Sequence, residues 1–529
     1  MPNAAPPTLD DARAVLRDVF GHDDFRGIQP DAIGRTLAGQ HTLVLMPTGG
    51  GKSVCYQVPA LLFDGLTVVL SPLVALMKDQ VDALVAKGVD AAYINATLTR
   101  KERDARYANL RAGRYKLLYV TPERFRKGDF RAALAERDID LFAIDEAHCV
   151  SGWGHDFRPD YTRLAELRNV MGNPTTLALT ATATPRVQQD IVTQLGLDDG
   201  MAILSEGIDR PNLSLDVAEV WGDDDKLDAI VAAAKDLENK GDSGLRPDGG
   251  QDARPTACPT ASGGGGGSGV VYFALIRTLE SFSEQLRERG VAHLCYHGKL
   301  ERRQRKRVQD DFLSDSPDKL PSHRLVLATN AFGMGIDKPD IRFVMHAEVP
   351  GSVEGYYQEI GRAGRDGMPA RCTLLYDERD LETQMMFIRW SNPGDEYLQR
   401  VVHHLEHDAE QVHAFGTDWL REKLHHKQRG DFRLETALNL LYRHGVIDTP
   451  PPKLDTARPP AIEDAMQSGQ LEVVADLPAA LLDEDRLAEK LRGDQQRLYG
   501  MVEYVRCDGD RRSFLNSYFG VAPEVGADP

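Results

Sequence analysis

Two blocks of short apolar runs, each run followed by a longer polar stretch with helical spacing, constrain this chain more than any other feature. The first block is Thr42–Met46, Thr67–Leu70, Leu117–Val120, Leu141–Ile144 and Thr176–Leu179. The second is Val270–Ala274, Leu325–Ala328, Phe343–His346 and Cys372–Tyr376. Apolar runs of this length, bounded by turn residues, belong to strands covered on both faces. Their alternation with helices makes the sheets parallel. The expected fold class is therefore α/β, with two tandem parallel-sheet lobes.

Between the blocks, residues 241–269 are dominated by Gly, Pro, Asp and Ser. Such a stretch cannot bury enough apolar surface to offset its ordering entropy, so a disordered insert is expected there. Turn chemistry between Ser205 and Asn212 marks a boundary. The expected domains are residues 8–205, residues 206–380 with the insert, and residues 381–529. In the last, the pattern turns helical. Leu434, Ala437, Leu438 and Leu441 recur at helical spacing up to Gly445. Trp419, Leu420 and Leu424 mark an earlier helix with Thr417 or Asp418 as its N-cap. Val446 and Ile447 then precede Pro450–Pro452. Helices followed by a strand-like segment fit a winged helix, and equally any small helical domain.

The first chemical signal is Met46-Pro-Thr-Gly-Gly-Gly-Lys-Ser53, between a strand and a helix-like stretch. Thr48, Gly49, Gly50 and Gly51 form a loop whose backbone N–H groups can surround phosphate oxygens. Lys52 would reach the β- and γ-phosphates, and Ser53 would ligate Mg²⁺. The second signal is Phe142-Ala-Ile-Asp-Glu-Ala-His148, an apolar strand ending in two carboxylates. Asp145 would hold Mg²⁺ while Glu146 orients and deprotonates the attacking water. The Gly-rich segment Tyr357–Asp366 carries Arg362 and Arg365, which can neutralise phosphoryl charge from the second lobe. ATP and Mg²⁺ are thus the expected cofactors.

The formal net charge is -18, with 81 acidic and 63 basic residues. That total speaks against broad electrostatic attraction to phosphate backbones but leaves a local basic groove open. Cys55, Cys149, Cys258, Cys295, Cys372 and Cys507 lie far apart with no CxxC pair, which excludes a cysteine-rich zinc site and a disulfide framework. Met1–Leu9 has neither a basic start nor an apolar run, and no stretch is long enough to span a bilayer. A cytoplasmic chain without a membrane partner is expected.

Taken together, these segments resemble superfamily 2 helicases and, more narrowly, the RecQ family of ATP-dependent DNA helicases. Further segments carry the resemblance: Leu70–Gln80, Val120-Thr-Pro-Glu-Arg124, Ala178–Thr184, Tyr296-His-Gly298 and Ala328–Lys338. It spans about residues 12 to 380. In place of the first Gly of the general phosphate-loop motif stands Met46, a replacement common in this superfamily. The resemblance implies RecA-like lobes. Phe25-Arg26-Gly-Ile-Gln29 resembles the adenine-recognition motif, with Gln29 reading the adenine edge and Arg26 stacking on the ring. Asp337 would belong to the nucleotide site. Ser71, Thr121, Arg124 and Thr329 would contact the DNA strand. The stretch Asp145–Arg158 resembles the aromatic-rich loop that couples single-stranded DNA to hydrolysis, which implies roles for His148, Trp153, His155, Phe157 and Arg158. Trp153 and Phe157 offer stacking faces, or else pack the loop.

The implied function is 3′→5′ translocation on single-stranded DNA and unwinding of forked DNA in repair or recombination. An RNA helicase of the same superfamily, or a DNA-stimulated translocase that does not unwind, remains open. Met501–Gly520 resembles the start of the family's zinc subdomain. Asp510 stands where a Cys is common, only Cys507 is nearby, and no further Cys follows, so no zinc is expected. No accessory helical DNA-binding module is recognisable after it.

Overall fold

The computed structural model describes residues 6–95, 98–151, 161, 164–241, 267–314, 324–333, 336–424, 431–448 and 462–521. The chain divides into two compact units. One holds residues 1–46, 50–206 and 385–496, and the other holds residues 47–49, 207–384 and 497–529.

The first unit contains a seven-stranded sheet: β1 (Thr42–Leu45), β2 (Leu66–Leu70), β3 (Ala91–Ile94), β4 (Leu117–Val120), β5 (Ile139–Ile144), β6 (Thr175–Thr180) and β7 (Ala202–Ser205). Their order is β3-β4-β2-β5-β6-β1-β7, and every pairing is parallel. Successive residues feed opposite cores. Leu43, Leu45, Phe142 and Ile144 join one apolar cluster, whereas Val44, Met46, Leu141 and Ala143 join the other. This two-sided burial, at about 1.5–3 kcal/mol per large apolar side chain, is why the strands read as unbroken apolar runs. Helices α1 (Gln29–Leu37), α2 (Val54–Leu62), α3 (Val74–Ala86) and α4 (Pro185–Gln194) belong to this lobe.

The second lobe repeats the plan with β8 (Leu213–Glu219), β9 (Ser268–Tyr272), β10 (Leu294–Tyr296), β11 (Leu325–Ala328), β12 (Ile341–His346) and β13 (Ala370–Tyr376). Their order is β10-β11-β9-β12-β13-β8, again wholly parallel. Every expected apolar run is a strand in one of the two sheets. The strands that the sequence did not announce are β3, β7, β8 and β10. β7 and β8 sit at sheet edges and leave about half of their residues exposed, so they lack an unbroken run. Most of the expected insert, residues 242–266, lies outside the described residues. Its stated end needs correction, because Ser268 and Gly269 are in β9. The ring of Phe343 on the neighbouring strand lies where a side chain at 269 would sit, 2.4 Å from a Cβ there. Glycine at that position is demanded by packing.

After α5 (Val353–Ile360) and α6 (Asp380–Ser391) comes a helical region with its own core: α7 (Asp395–His407), α8 (Ala409–Lys423) and α9 (Arg433–Arg443). The expected residues Leu434, Ala437, Leu438 and Leu441 are all buried on α9. α8 is two helices joined at a kink at Gly416, where φ is +64°, so the one bearing Trp419 begins just after that break, beside the expected N-cap at Thr417 or Asp418. Beyond it, β14 (Ile447–Asp448) and β15 (Glu472–Val473) form a short antiparallel ladder. The Pro450–Pro452 run lies outside the described residues. α10 (Glu484–Val505) and α11 (Arg511–Tyr518) close the chain's described part. Asn392 Nδ2 donates to Asp494 at 2.6 Å and Lys490 Nζ to the Ser391 carbonyl at 3.2 Å, so the two ends of the helical region meet at a neck. No helix among the described residues is long and apolar enough to cross a membrane.

A buried polar hub ties the first lobe together. Gln80 Oε1 on α3 accepts from Tyr56 Oη at 2.9 Å, Gln57 Nε2 at 3.1 Å and Tyr119 Oη at 3.0 Å. It joins α2, which follows the phosphate loop, to α3 and β4. Gln80→Leu leaves donors buried without acceptors, and about 2 kcal/mol of lobe stability should be lost. Urea unfolding of the full chain followed by tyrosine fluorescence reads this as a lower first midpoint.

Candidate active site

All loops of interest in the first lobe leave the C-terminal edge of its parallel sheet, where ligands bind in open α/β folds. The phosphate loop follows β1. Gly49 and Gly51 have φ of +86° and +77°, conformations in which any side chain would be strained. Lys52 Nζ folds back onto the Met46 carbonyl at 3.3 Å. The Ser53 hydroxyl makes no capping bond to α2, although the residue stands at that helix's N-cap.

Gln29 lies against the phosphate loop. It is only 4% exposed, and both ends of its amide are engaged by the protein. Oε1 accepts from Arg26 N at 2.9 Å, and Nε2 donates to the carbonyls of Gly50 and Gly51 at 3.0 and 3.3 Å. A Cβ on Gly51 would lie 2.7 Å from that same nitrogen. Gln29 therefore braces the phosphate loop. Arg26 beside it is exposed.

The carboxylate pair follows β5. Asp145 is buried, and its N–H donates to the Leu70 carbonyl at 2.8 Å. Glu146 adopts φ of +50°, a left-handed conformation rarely taken by a residue with a side chain. Its N–H donates to Asp145 Oδ1 at 3.0 Å. Burial, and secondarily the Glu146 charge, push the Asp145 carboxyl up from 3.8 to about 7, against the pull of Lys52. An ionised Asp145 in this pocket wants a further cation, so the residues fit a Mg²⁺ ion held by Asp145 and Ser53 with a bound nucleotide. His148 is buried, with Nδ1 3.0 Å from Thr180 Oγ1 and 3.4 Å from Glu146 Oε2. It links the carboxylate loop to the end of β6. That link was not legible in the sequence beyond the presence of both motifs.

Ser71 and Thr121 follow β2 and β4 at the same sheet edge and are both buried. Ser71 Oγ accepts from Leu73 N at 3.4 Å. Arg124 Nη2 donates to the Asn95 carbonyl at 2.7 Å, so its guanidinium is tied to the lobe. Trp153, His155, Phe157 and Arg158 lie outside the described residues. The loop that bears them starts at Ser151, whose Oγ donates to Asp190 on α4 at 2.5 Å.

In the second lobe, Thr329 follows β11, is buried, and donates its N–H to the Tyr296 carbonyl at 3.1 Å. α5 is capped by Ser352, which accepts from Gly355 N at 3.1 Å, and it runs directly into the arginine loop. Arg362 is buried. Arg365 Nη1 pairs with the exposed Asp337 at 2.7 Å. Burial lowers the affinity of Arg365 for its proton, and Asp337 opposes that. Asp337 thus stands as the partner of Arg365. The structure brings Gln29, residues 50–53 of the phosphate loop, Asp145, Glu146 and His148 together in one unit, and Arg362, Arg365, Asp337 and Thr329 in the other.

The raised Asp145 carboxyl makes the metal-free protein less stable as pH rises, because the unfolded chain ionises from its ordinary 3.8 while the folded site resists up to about 7. Asp145→Asn should therefore raise the unfolding temperature of the metal-free protein at pH 8. The gain over wild type should shrink as pH falls towards 5. Differential scanning calorimetry of both proteins in EDTA checks the sign and its pH course.

Comparison with known proteins agrees with this geometry. The family of DEAD/DEAH box helicases matches residues 26–191, and the helicase conserved C-terminal domain matches residues 259–367. The probable ATP-dependent DNA helicase RecS of Bacillus subtilis is 37% identical over 398 residues, 75% of this chain and 73% of RecS. The ATP-dependent DNA helicase RecQ of B. subtilis is 42% identical over 74% of this chain, and that of Haemophilus influenzae is 41% identical over 70%. The match spans only 60% and 54% of those two RecQ proteins. In fold, the chain is similar to Mycobacterium smegmatis helicase Lhr (TM-score 0.51, 20% identity, 71% of this chain and 49% of Lhr). It is also similar to the DEAD-box helicase Mss116 (TM-score 0.53, 15% identity, 83% of this chain and 93% of Mss116). Two RecA-like lobes with a mainly helical C-terminal region carry the motif series in order, and the chain belongs to the RecQ family of superfamily 2 helicases.

Proposed function

We propose that this chain is an ATP-dependent DNA helicase that moves 3′→5′ on single-stranded DNA and opens forked duplexes in DNA repair or recombination. The observation that carries this reading is in the first lobe. The phosphate loop and the Asp145–Glu146 pair leave one sheet edge, and Lys52 acts electrostatically on Asp145. The printed names of the relatives, ATP-dependent DNA helicases, supply the substrate class. The backbone of Thr48–Gly51 and Lys52 bind the ATP phosphates. Mg²⁺, when bound through Ser53 and Asp145, neutralises phosphate charge. Glu146 takes the proton of the water that attacks the γ-phosphorus as the bond to ADP breaks. Arg362 and Arg365 stabilise the charge that develops on the transferred group. Ser71, Thr121, Arg124 and Thr329 hold the strand by its backbone. His148, Trp153, His155, Phe157 and Arg158 report its presence to Glu146. The 3′→5′ polarity and the repair or recombination setting come from the family. A winged helix within residues 381–529 belongs to the same proposal.

Wild-type protein should hydrolyse ATP faster with single-stranded DNA than with RNA, and should separate a forked duplex with a 3′ tail but not one with a 5′ tail. Lys52→Ala should lower hydrolysis about 100-fold or more. Stimulated hydrolysis without strand separation would instead assign a translocase, and preferential stimulation by RNA would assign an RNA helicase.

A further inference from the structure

α5 ends where the arginine loop begins, so whatever sets the tilt of this helix sets where Arg362 points. One side of α5 faces the chain's last two described helices through an unusual number of directed contacts. Tyr356 is fully buried, and Tyr504 Oη on α10 donates to Tyr356 Oη at 3.1 Å with the rings 5.0 Å apart. Tyr518 Oη on α11 donates to Glu354 Oε1 at 3.1 Å. The rings of Tyr357 and Phe519 lie 5.4 Å apart. Met501, Tyr504, Val505, Leu515 and Phe519 complete the core of the second lobe.

On its sheet side, α5 is held just as specifically. The His346 ring stacks on Tyr272 at 5.3 Å and lies 5.0 Å from Tyr356, and its Nε2 is 2.7 Å from Glu359 Oε2. A polar and aromatic ladder thus runs from α10 through Tyr356 and His346 to Glu359, three residues before Arg362. The hairpin of α10 and α11 closes on Asp510, whose carboxylate accepts from Arg512 N at 3.3 Å and Ser513 N at 3.0 Å. This N-cap stands where the family commonly has a cysteine. Arg512 then donates to the carbonyls of Pro211 and Leu213, which fastens α11 to the lobe.

We propose that the hairpin from Met501 to Phe519 is a brace for the arginine loop, with Tyr504 and Tyr518 as positioning residues for ATP hydrolysis. It rests on the ATP-hydrolysis reading above and adds a cause for the placement of Arg362. Apolar packing alone would tolerate a helix that slides. One buried and one part-buried hydroxyl contact fix its rotation and tilt. The effect of misplacement is large, because a catalytic group displaced by about 1 Å can cost on the order of 100-fold in rate.

The test uses the full chain with Tyr504→Phe and Tyr518→Phe combined, which keeps both rings and removes both hydroxyls. DNA-stimulated kcat should fall about five- to tenfold, with KM for ATP within about twofold. Backbone hydrogen exchange over residues 353–365 should quicken, while exchange over residues 42–70 stays as in wild type. Adding the pair to Arg362→Ala should cost little further, because the hydroxyls act through that arginine. Unchanged kcat with unchanged exchange overturns the proposal, and so does an equal loss in the Arg362→Ala background. If the wild type hydrolyses no ATP, the functional reading fails, and exchange over residues 353–365 alone decides the brace. If the double variant does not fold, Tyr518→Phe alone is read in the same way, since it removes only the bond to Glu354.

Discussion

Parallel pairing in both large sheets is the constraint from which the rest of this molecule follows. A parallel strand cannot turn straight back, so each is followed by a crossover that covers one face of the sheet. All strands of a lobe then end at one edge, and the loops leaving that edge keep only their first backbone bond to the neighbouring strand, as Asp145, Ser71 and Thr329 do. In the first lobe that edge carries the phosphate loop after β1, Ser71 after β2, Thr121 after β4 and Asp145 after β5. In the second it carries Thr329 after β11. The apolar interior therefore brings polar residues from distant parts of the sequence to one rim without any of them contributing to the core.

Behind that rim, buried amides, hydroxyls and rings do the connecting. Gln29 holds the carbonyls of Gly50 and Gly51. Gln80 ties the helix after the phosphate loop to the helix after Ser71 and to β4. His148 spans the carboxylate loop and Thr180. Gln29 and His148 are buried and Gln80 partly so, and each is hydrogen-bonded to its neighbours, so a shift in one loop carries a cost to the next unless both move together. This is a physical basis for coupling between a nucleotide and a strand bound at neighbouring loops.

Much of the fold and the motifs of the candidate site could be read in the residues, and the reasons for what could not are specific. Fully buried strands announce themselves because both faces are apolar. The edge strands β7 and β8 do not, because half of each faces water. Lys52, Asp145 and Glu146 were legible because phosphoryl chemistry demands those groups after strands. The engagement of Gln29 was not, since its partners are backbone carbonyls more than twenty residues away, which no local pattern encodes. The pairing of Asp337 with Arg365 was hidden for the same reason. The left-handed backbone of Glu146 was hidden because nothing in a glutamate favours it. The role of Asp510 as an N-cap was concealed by its position in a segment read for its missing cysteines.

The neck formed by Asn392, Lys490 and Asp494 makes residues 395–482 a cassette. Because its two ends meet and its core is its own, material there can be lengthened, shortened or exchanged while the polypeptide on either side keeps its register.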